Sequence, residues 1–184
     1  MKKAFLMTMA LVLISIPAAA QQGYLGLFAD TLGENCFLYD NMPGLVSVYV
    51  VHMDSPGASA VEFMVDLSGA PNLTYLSDVQ TPGYVTIGSS IAGVAIGFGG
   101  CVASPNVVLT LTFFAQSLSS PCSVIRLAEN PDSGQIQVAD CDLNLVQIEG
   151  RGMFINPTPD CDNCGMVPVG TDQNTWGSLK SLFR

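Results

Sequence analysis

Chemistry in this sequence would have to run through one histidine (His52), four glutamates (Glu34, Glu62, Glu129 and Glu149), or six cysteines. His52 lies inside the apolar run VSVYVVHM, and the chain has no G-x-S-x-G elbow of the kind that presents a serine nucleophile beside a histidine base. A structural role therefore suits it. Open zinc sites lean on two or three histidines, more than this sequence has. Glycoside hydrolysis needs two carboxyl groups about 5 or 9 Å apart across a cleft. The glutamate spacing brings no two of them together, and Glu62 and Glu149 read as water-facing positions of alternating strands.

The cysteines are Cys36, Cys101, Cys122, Cys141, Cys161 and Cys164, an even set that reads as a disulfide framework if the chain leaves the cytoplasm. Six cysteines allow about fifteen pairings; the expected set is Cys36 with Cys101, Cys122 with Cys141, and Cys161 with Cys164, the last two because nearby cysteines close cheaply. The C-x-x-C of Cys161 to Cys164 lacks the helix start that would make it redox-active, because Pro157 and Pro159 precede it and Gly165 follows. It reads as a small structural bridge. Two Asp-Cys-Asp triplets supply oxygen ligands for calcium, giving Asp140, Asp142, Asn144, Asp160 and Asp162 as candidate ligands. An EF-hand is excluded, since Leu145 occupies the position that requires glycine and Arg151 the position that requires glutamate. No organic cofactor is implied.

These residues have to be placed by the rest of the chain. Residues 1–20 have the form of a bacterial secretory signal: Lys2 and Lys3, an apolar run from Ala4 to Ile16, then Pro17 and Ala18 to Ala20. Cleavage after Ala20 leaves four basic residues against fifteen acidic ones, a net charge of −11. So few cations argue against nucleic acid and anionic lipid as partners. No later stretch is long and apolar enough to span a bilayer. The chain is expected to be secreted, periplasmic or at the cell surface.

Residues 21–156 read as one domain of about nine short strands, an antiparallel β-sandwich. The central stretch is LVSVYVVHMDSPGASAVEFMVDL, Leu45 to Leu67, two strands around Asp54 to Gly57. The first is apolar on both faces and the second on one, so the two are expected in opposite sheets. Gly93 to Phe98 reads as a kinked edge strand beside Cys101. Asn106 to Gln116 alternates cleanly, and Ser123 to Ala128 with Gln135 to Asp140 reads as a hairpin. Residues 157–174 form a Pro- and Cys-bearing linker. Residues 175–184 read as a short helical tail that presents Trp176, Leu179, Leu182 and Phe183 on one face for docking.

With the strands placed, VSVYVVHM, SAVEFMVDL and VVLTLTFFA together resemble the cohesin-like and carbohydrate-binding-like, jelly-roll-related sandwiches of bacterial exported proteins. GYLGLFAD with Cys36, PGLVSVYVVHM, GVAIGFGGC and the late cysteine-bounded segment resemble a family of exported proteins of uncultured bacteria that carries no catalytic residues. TWGSLKSLFR resembles a recurrent C-terminal ending of such proteins. The resemblance implies a non-catalytic binding or structural module, with a protein or glycan at the cell surface as partner. For a glycan, Tyr75 and Tyr84 are the candidate stacking residues. The alternative is a secreted glycoside or peptide hydrolase that uses surface carboxylates.

Overall fold

The computed structural model describes residues 22–116 and 118–161. The signal segment and the docking tail with Trp176, Leu179, Leu182 and Phe183 lie outside the described residues, as do Asp162 and Cys164. The described chain forms β1 (Tyr24–Phe28), β2 (Phe37–Leu38), β3 (Gly44–Met53), β4 (Ala58–Asp66), β5 (Leu73–Gln80), β6 (Val85–Ser89), β7 (Gly93–Val102), β8 (Asn106–Ala115), β9 (Ser123–Ala128), β10 (Gln137–Asp140), β11 (Leu145–Gln147), β12 (Glu149–Arg151) and β13 (Met153–Ile155). One sheet runs β12-β1-β3-β8-β5. The other runs β11-β10-β4-β9-β13-β2, with β7 on the opposite flank of β4 and β6 outside β7.

The alternation that defines each strand also builds the core. Val48 and Val50 of β3 and Leu109, Leu111 and Phe113 of β8 face Val61, Phe63 and Val65 of β4, Val94 and Ile96 of β7, and Ile125 and Leu127 of β9. Phe63 and Phe113 are fully buried, and each such side chain contributes about 1.5–3 kcal/mol by leaving water.

The two strands of Leu45 to Leu67 do lie in opposite sheets. Other expectations change. The described residues hold thirteen strands, because β2, β11, β12 and β13 are two or three residues long, and β2, β12 and β13 exist only through pairing with distant segments. Two of those pairings are parallel, β12 with β1 and β2 with β13. β7 is no edge strand, since it sits between β4 and β6, although it does end at the disulfide of Cys101. Nor do β9 and β10 pair as a hairpin. They lie one after the other along β4, β10 against its first half and β9 against its second. A single bridge, Asn130 to Gln135, joins their connection.

The expected cysteine pairing is replaced. Cys101 bonds Cys141, Cys122 bonds Cys161, and Cys36 is disulfide-bonded as well. Loop-closure entropy acts on the unfolded chain, whereas the folded geometry decides which sulfurs meet. The Cys122 N–H donates to the carbonyl of Asn156, which brings the segment after β13 alongside Cys122 at a Cα separation from Cys161 of 5.9 Å.

Two buried polar residues pin the ends of the sandwich. Asp40, 1% exposed, accepts hydrogen bonds from the backbone N–H and hydroxyl of Ser119 and from Nδ2 of Asn156 at 2.6–3.1 Å. Its own N–H donates to Asn156 Oδ1. At the other end His52 is wholly buried, and its Nε2 lies 2.8 Å from the carbonyl of Gln22. A carbonyl only accepts, so Nε2 carries the proton and Nδ1 is the unprotonated nitrogen, with no hydrogen-bond partner among the described residues. Burial pushes the His52 pKa below its ordinary 6.5, and the Gln22 bond only partly opposes this.

Asp40→Ala strands several buried donors and is expected to lower stability by about 3 kcal/mol in urea denaturation. For His52, a depressed pKa means the unfolded chain binds the proton more readily. Its contribution is therefore complete above pH 6.5 and is lost as pH falls from there through the folded value. The urea midpoint is expected to fall between pH 7.5 and 5, and by less in His52→Gln; equal slopes in the two proteins would contradict this.

Candidate functional site

The outer face of the second sheet is built from the strand positions that do not point into the core. On β4 these are Ala60, Glu62 and Met64, which alternate with buried Val61, Phe63 and Val65. Pairing sets them in rows across five strands. One row reads Val85, Gly97, Ala60, Ala139 and Leu145 from β6 through β7, β4 and β10 to β11. The next reads Ile87, Ala95, Glu62, Gln137 and Gln147. The first row has no side chain larger than methyl on its three central strands, so its floor lies almost at backbone level. Val85 and Ile87 rise from one margin, 66% and 72% exposed, and Leu145 from the other at 69%. From β6 to β11 is about 19 Å at the usual strand spacing.

Glu62 stands in the middle of this face, where its Oε1 accepts a 2.6 Å hydrogen bond from Nε2 of Gln137. At the end where β4 begins, the Cys101–Cys141 bridge closes over Gly57. The outer face of the other sheet differs. Its rows join Ser47 to Thr112 and Ser77, and Tyr49 to Thr110 and Val79. Hydroxyls fill most of those positions, although the end row joins exposed Leu45 to Phe114 and Thr74; the flat small-residue floor is a feature of the second sheet.

The residues singled out by the sequence are dispersed. Glu149 is exposed on β12 beside Arg151 at 3.8 Å, in the sheet opposite Glu62. Arg151 lies over the Tyr24 ring, 3.4 Å from its centroid, and with Phe28 and Glu34 the two residues line a small cleft. Tyr75 packs edge-on against Phe113, and Tyr84 stacks on Phe98 while its hydroxyl donates to Asn106. Both rings are turned into the protein, which removes them as sugar platforms.

Asp140 has a different task from the one expected. It accepts hydrogen bonds from the side-chain amide and backbone N–H of Asn144 and the N–H of Asp142, which hold its carboxyl below the ordinary range and shape the β10–β11 turn. Asp160 is exposed in the turn before Cys161. Among the described residues no three His, Cys, Asp or Glu side chains converge as a metal cluster. Sequence reasoning missed Asp40, whose partners are 79 and 116 residues away, and it missed the small-residue floor, which only strand register assembles.

No family model matches the sequence, and neither does any curated protein. Solved structures do match the fold. The cohesin module of a family 33 glycoside hydrolase from Clostridium perfringens aligns with 75% of this chain and 99% of its own, at 9% identity and a TM-score of 0.54. A chain of the CaDoc0917–CaCohA2 complex aligns with 73% of this chain and 99% of its own, at 14% identity and a TM-score of 0.48. The type III cohesin module of the ScaE cell-surface anchoring scaffoldin of Ruminococcus flavefaciens covers 77% of this chain and 92% of its own, at 7% identity and a TM-score of 0.42. At these identities the likeness is one of fold, and the first match carries it: the described chain is a two-sheet, cohesin-like β-sandwich.

Proposed function

We propose that this chain is an exported, non-catalytic protein-binding module whose recognition surface is the outer face of the β11-β10-β4-β7-β6 sheet. The observation that supports it is the row Val85, Gly97, Ala60, Ala139 and Leu145, a floor without projecting side chains between exposed apolar margins. Apolar surface of that kind is what a partner covers. The cohesin-like fold agrees with the reading, because the C. acetobutylicum cohesin CaCohA2 is found in a complex with CaDoc0917. The disulfides fit an oxidising, extracytoplasmic setting.

Charge specifies the partner further. The chain carries a formal charge of −9, Glu62 stands on the face itself, and Asp140 and Asp142 border it. The complementary partner is a protein that presents an apolar ridge flanked by lysine or arginine. Calcium at the Asp-Cys-Asp loops is no part of this reading.

Gly97 gives a clean test, because a Cβ added there meets nothing within 4 Å. Gly97→Phe is expected to leave the fold intact and fill the floor. Binders selected on the native protein from a displayed library of amphipathic sequences should be cationic, weaken with salt, and lose at least about tenfold in affinity against Gly97→Phe. Binders indifferent to that substitution would place recognition elsewhere.

A further inference from the structure

The disulfides differ in their access to solvent. Cys101 and Cys141 are both exposed, Cys122 and Cys161 are partly buried, and Cys36 is buried. The exposed bridge also has an unusual seat. β7 and β10 flank β4 on opposite sides, and Ala58 pairs with Val102 on one and Asp140 on the other. Both pairings slip at this point, between Ala58 and Ala60 and between Ala139 and Asp140. Cys101, just before Val102, and Cys141, just after Asp140, reach across the start of β4 and meet over Gly57, whose added Cβ would stand 2.7 and 2.8 Å from the two sulfurs. Where the hydrogen-bond ladder breaks on both sides, the covalent bridge holds the ends of β7 and β10 together.

We infer that Cys101–Cys141 is an exchangeable disulfide, a site for external thiols, whose opening loosens the end of the recognition face while the core stays folded. Exposed disulfides are the labile ones in general. The charge around the bridge selects the reagent. Cys141 sits between Asp140 and Asp142, and Cys101 between Gly100 and Val102, so an anionic thiolate is repelled and a thiol on a cationic molecule is favoured, with Cys101 the accessible sulfur. The thiolate attacks Cys101 Sγ and forms a mixed disulfide. The original S–S bond breaks with its electron pair on Cys141 Sγ, which takes up a proton. A second thiolate then displaces the mixed disulfide, and Cys101 in turn takes up a proton. Two external thiols are thereby oxidised to one disulfide, and two chain thiols are formed.

The consequence for partner binding rests on the recognition reading above, but the exchange does not. The native protein is treated under non-denaturing conditions with cysteamine or with mercaptopropionate at equal thiolate concentration, quenched with iodoacetamide and mapped by mass spectrometry. Cys101 and Cys141 should be alkylated at least about tenfold faster than Cys36, Cys122 and Cys161, and faster with cysteamine. Hydrogen exchange should rise in residues 57–60, 99–103 and 139–142 alone. If Cys122–Cys161 opens first or equally fast, or if exchange rises throughout, the inference fails. The double variant Cys101→Ser with Cys141→Ser should reproduce the local exchange pattern without reagent, and a uniform pattern would overturn it too.

Discussion

Carboxylates in this protein are held mainly by hydrogen-bond donors; among the described residues one ion pair, exposed Glu149 with Arg151 at 3.8 Å, uses a cation. Among the described residues only Arg126 and Arg151 carry positive charge, and Arg151 spends its guanidinium on the Tyr24 ring. Five aspartates draw on nearby N–H and O–H groups: Asp30 on the backbone of Leu32 and Asn35, Asp66 on Ser68, Asp78 on Ser90, Asp140 on Asn144, and Asp40 on Ser119 and Asn156. Such charge-assisted bonds are strong and directional. They fix where strands stop and loops turn, so the acidic composition is a framework for the loops as well as a surface charge. Asp78 is a clear case, because its grip on wholly buried Ser90 ties the β6–β7 turn back to β5 in the opposite sheet.

With the loops fixed in this way, β4 becomes the strand around which the second sheet is organised. It takes β7 on one flank and β10 and then β9 on the other. Its inward residues fill the core and its outward ones make the floor. Small residues on that floor have no structural cause in the core, which they do not touch. Gly97 has open space where a side chain would go. A face kept flat while its margins stay apolar is what the proposed recognition needs, and the bridge over Gly57 ties the end where backbone pairing lapses.

Much of the sandwich is legible in the sequence, because strands of eight to ten residues write their period of two into the chain: β3, β4 and β8 are plain, and β3 and β4 lie in opposite sheets as their apolar faces lead one to expect. The short pieces are not legible. Residues 153–155 become a strand only by pairing with β9, and residues 37–38 only by pairing with 154–155 in turn. Strand pairing decides the rest as well. Gly93 to Phe98 looks like an edge because glycine is weak strand chemistry, yet the same glycines make the interior floor. The sulfurs of Cys101 and Cys141 meet because β7 and β10 share a neighbour, which no spacing along the chain expresses. Within the candidate site, Glu62 was visible as a water-facing residue, whereas its neighbours Gly97, Ala95 and Ala139 have meaning only in register.

The pairing of β1 with β12 has a consequence for the order in which the molecule can be made. Tyr24 meets Glu149 and Leu25 meets Gly150, while Asp40 waits for Ser119 and Asn156. A chain synthesised from its N-terminus can pair β1 with β3 early, but the other edge of β1 waits for β12 and β2 waits for β13. The β6–β7, β1–β3 and β4–β7 ladders can form early, and the barrier is that of a topology rich in distant contacts. One edge of β1 stays unpaired until β12 is made, and until then that edge and the apolar side of the β1–β3 pair are open to whatever accompanies the nascent chain.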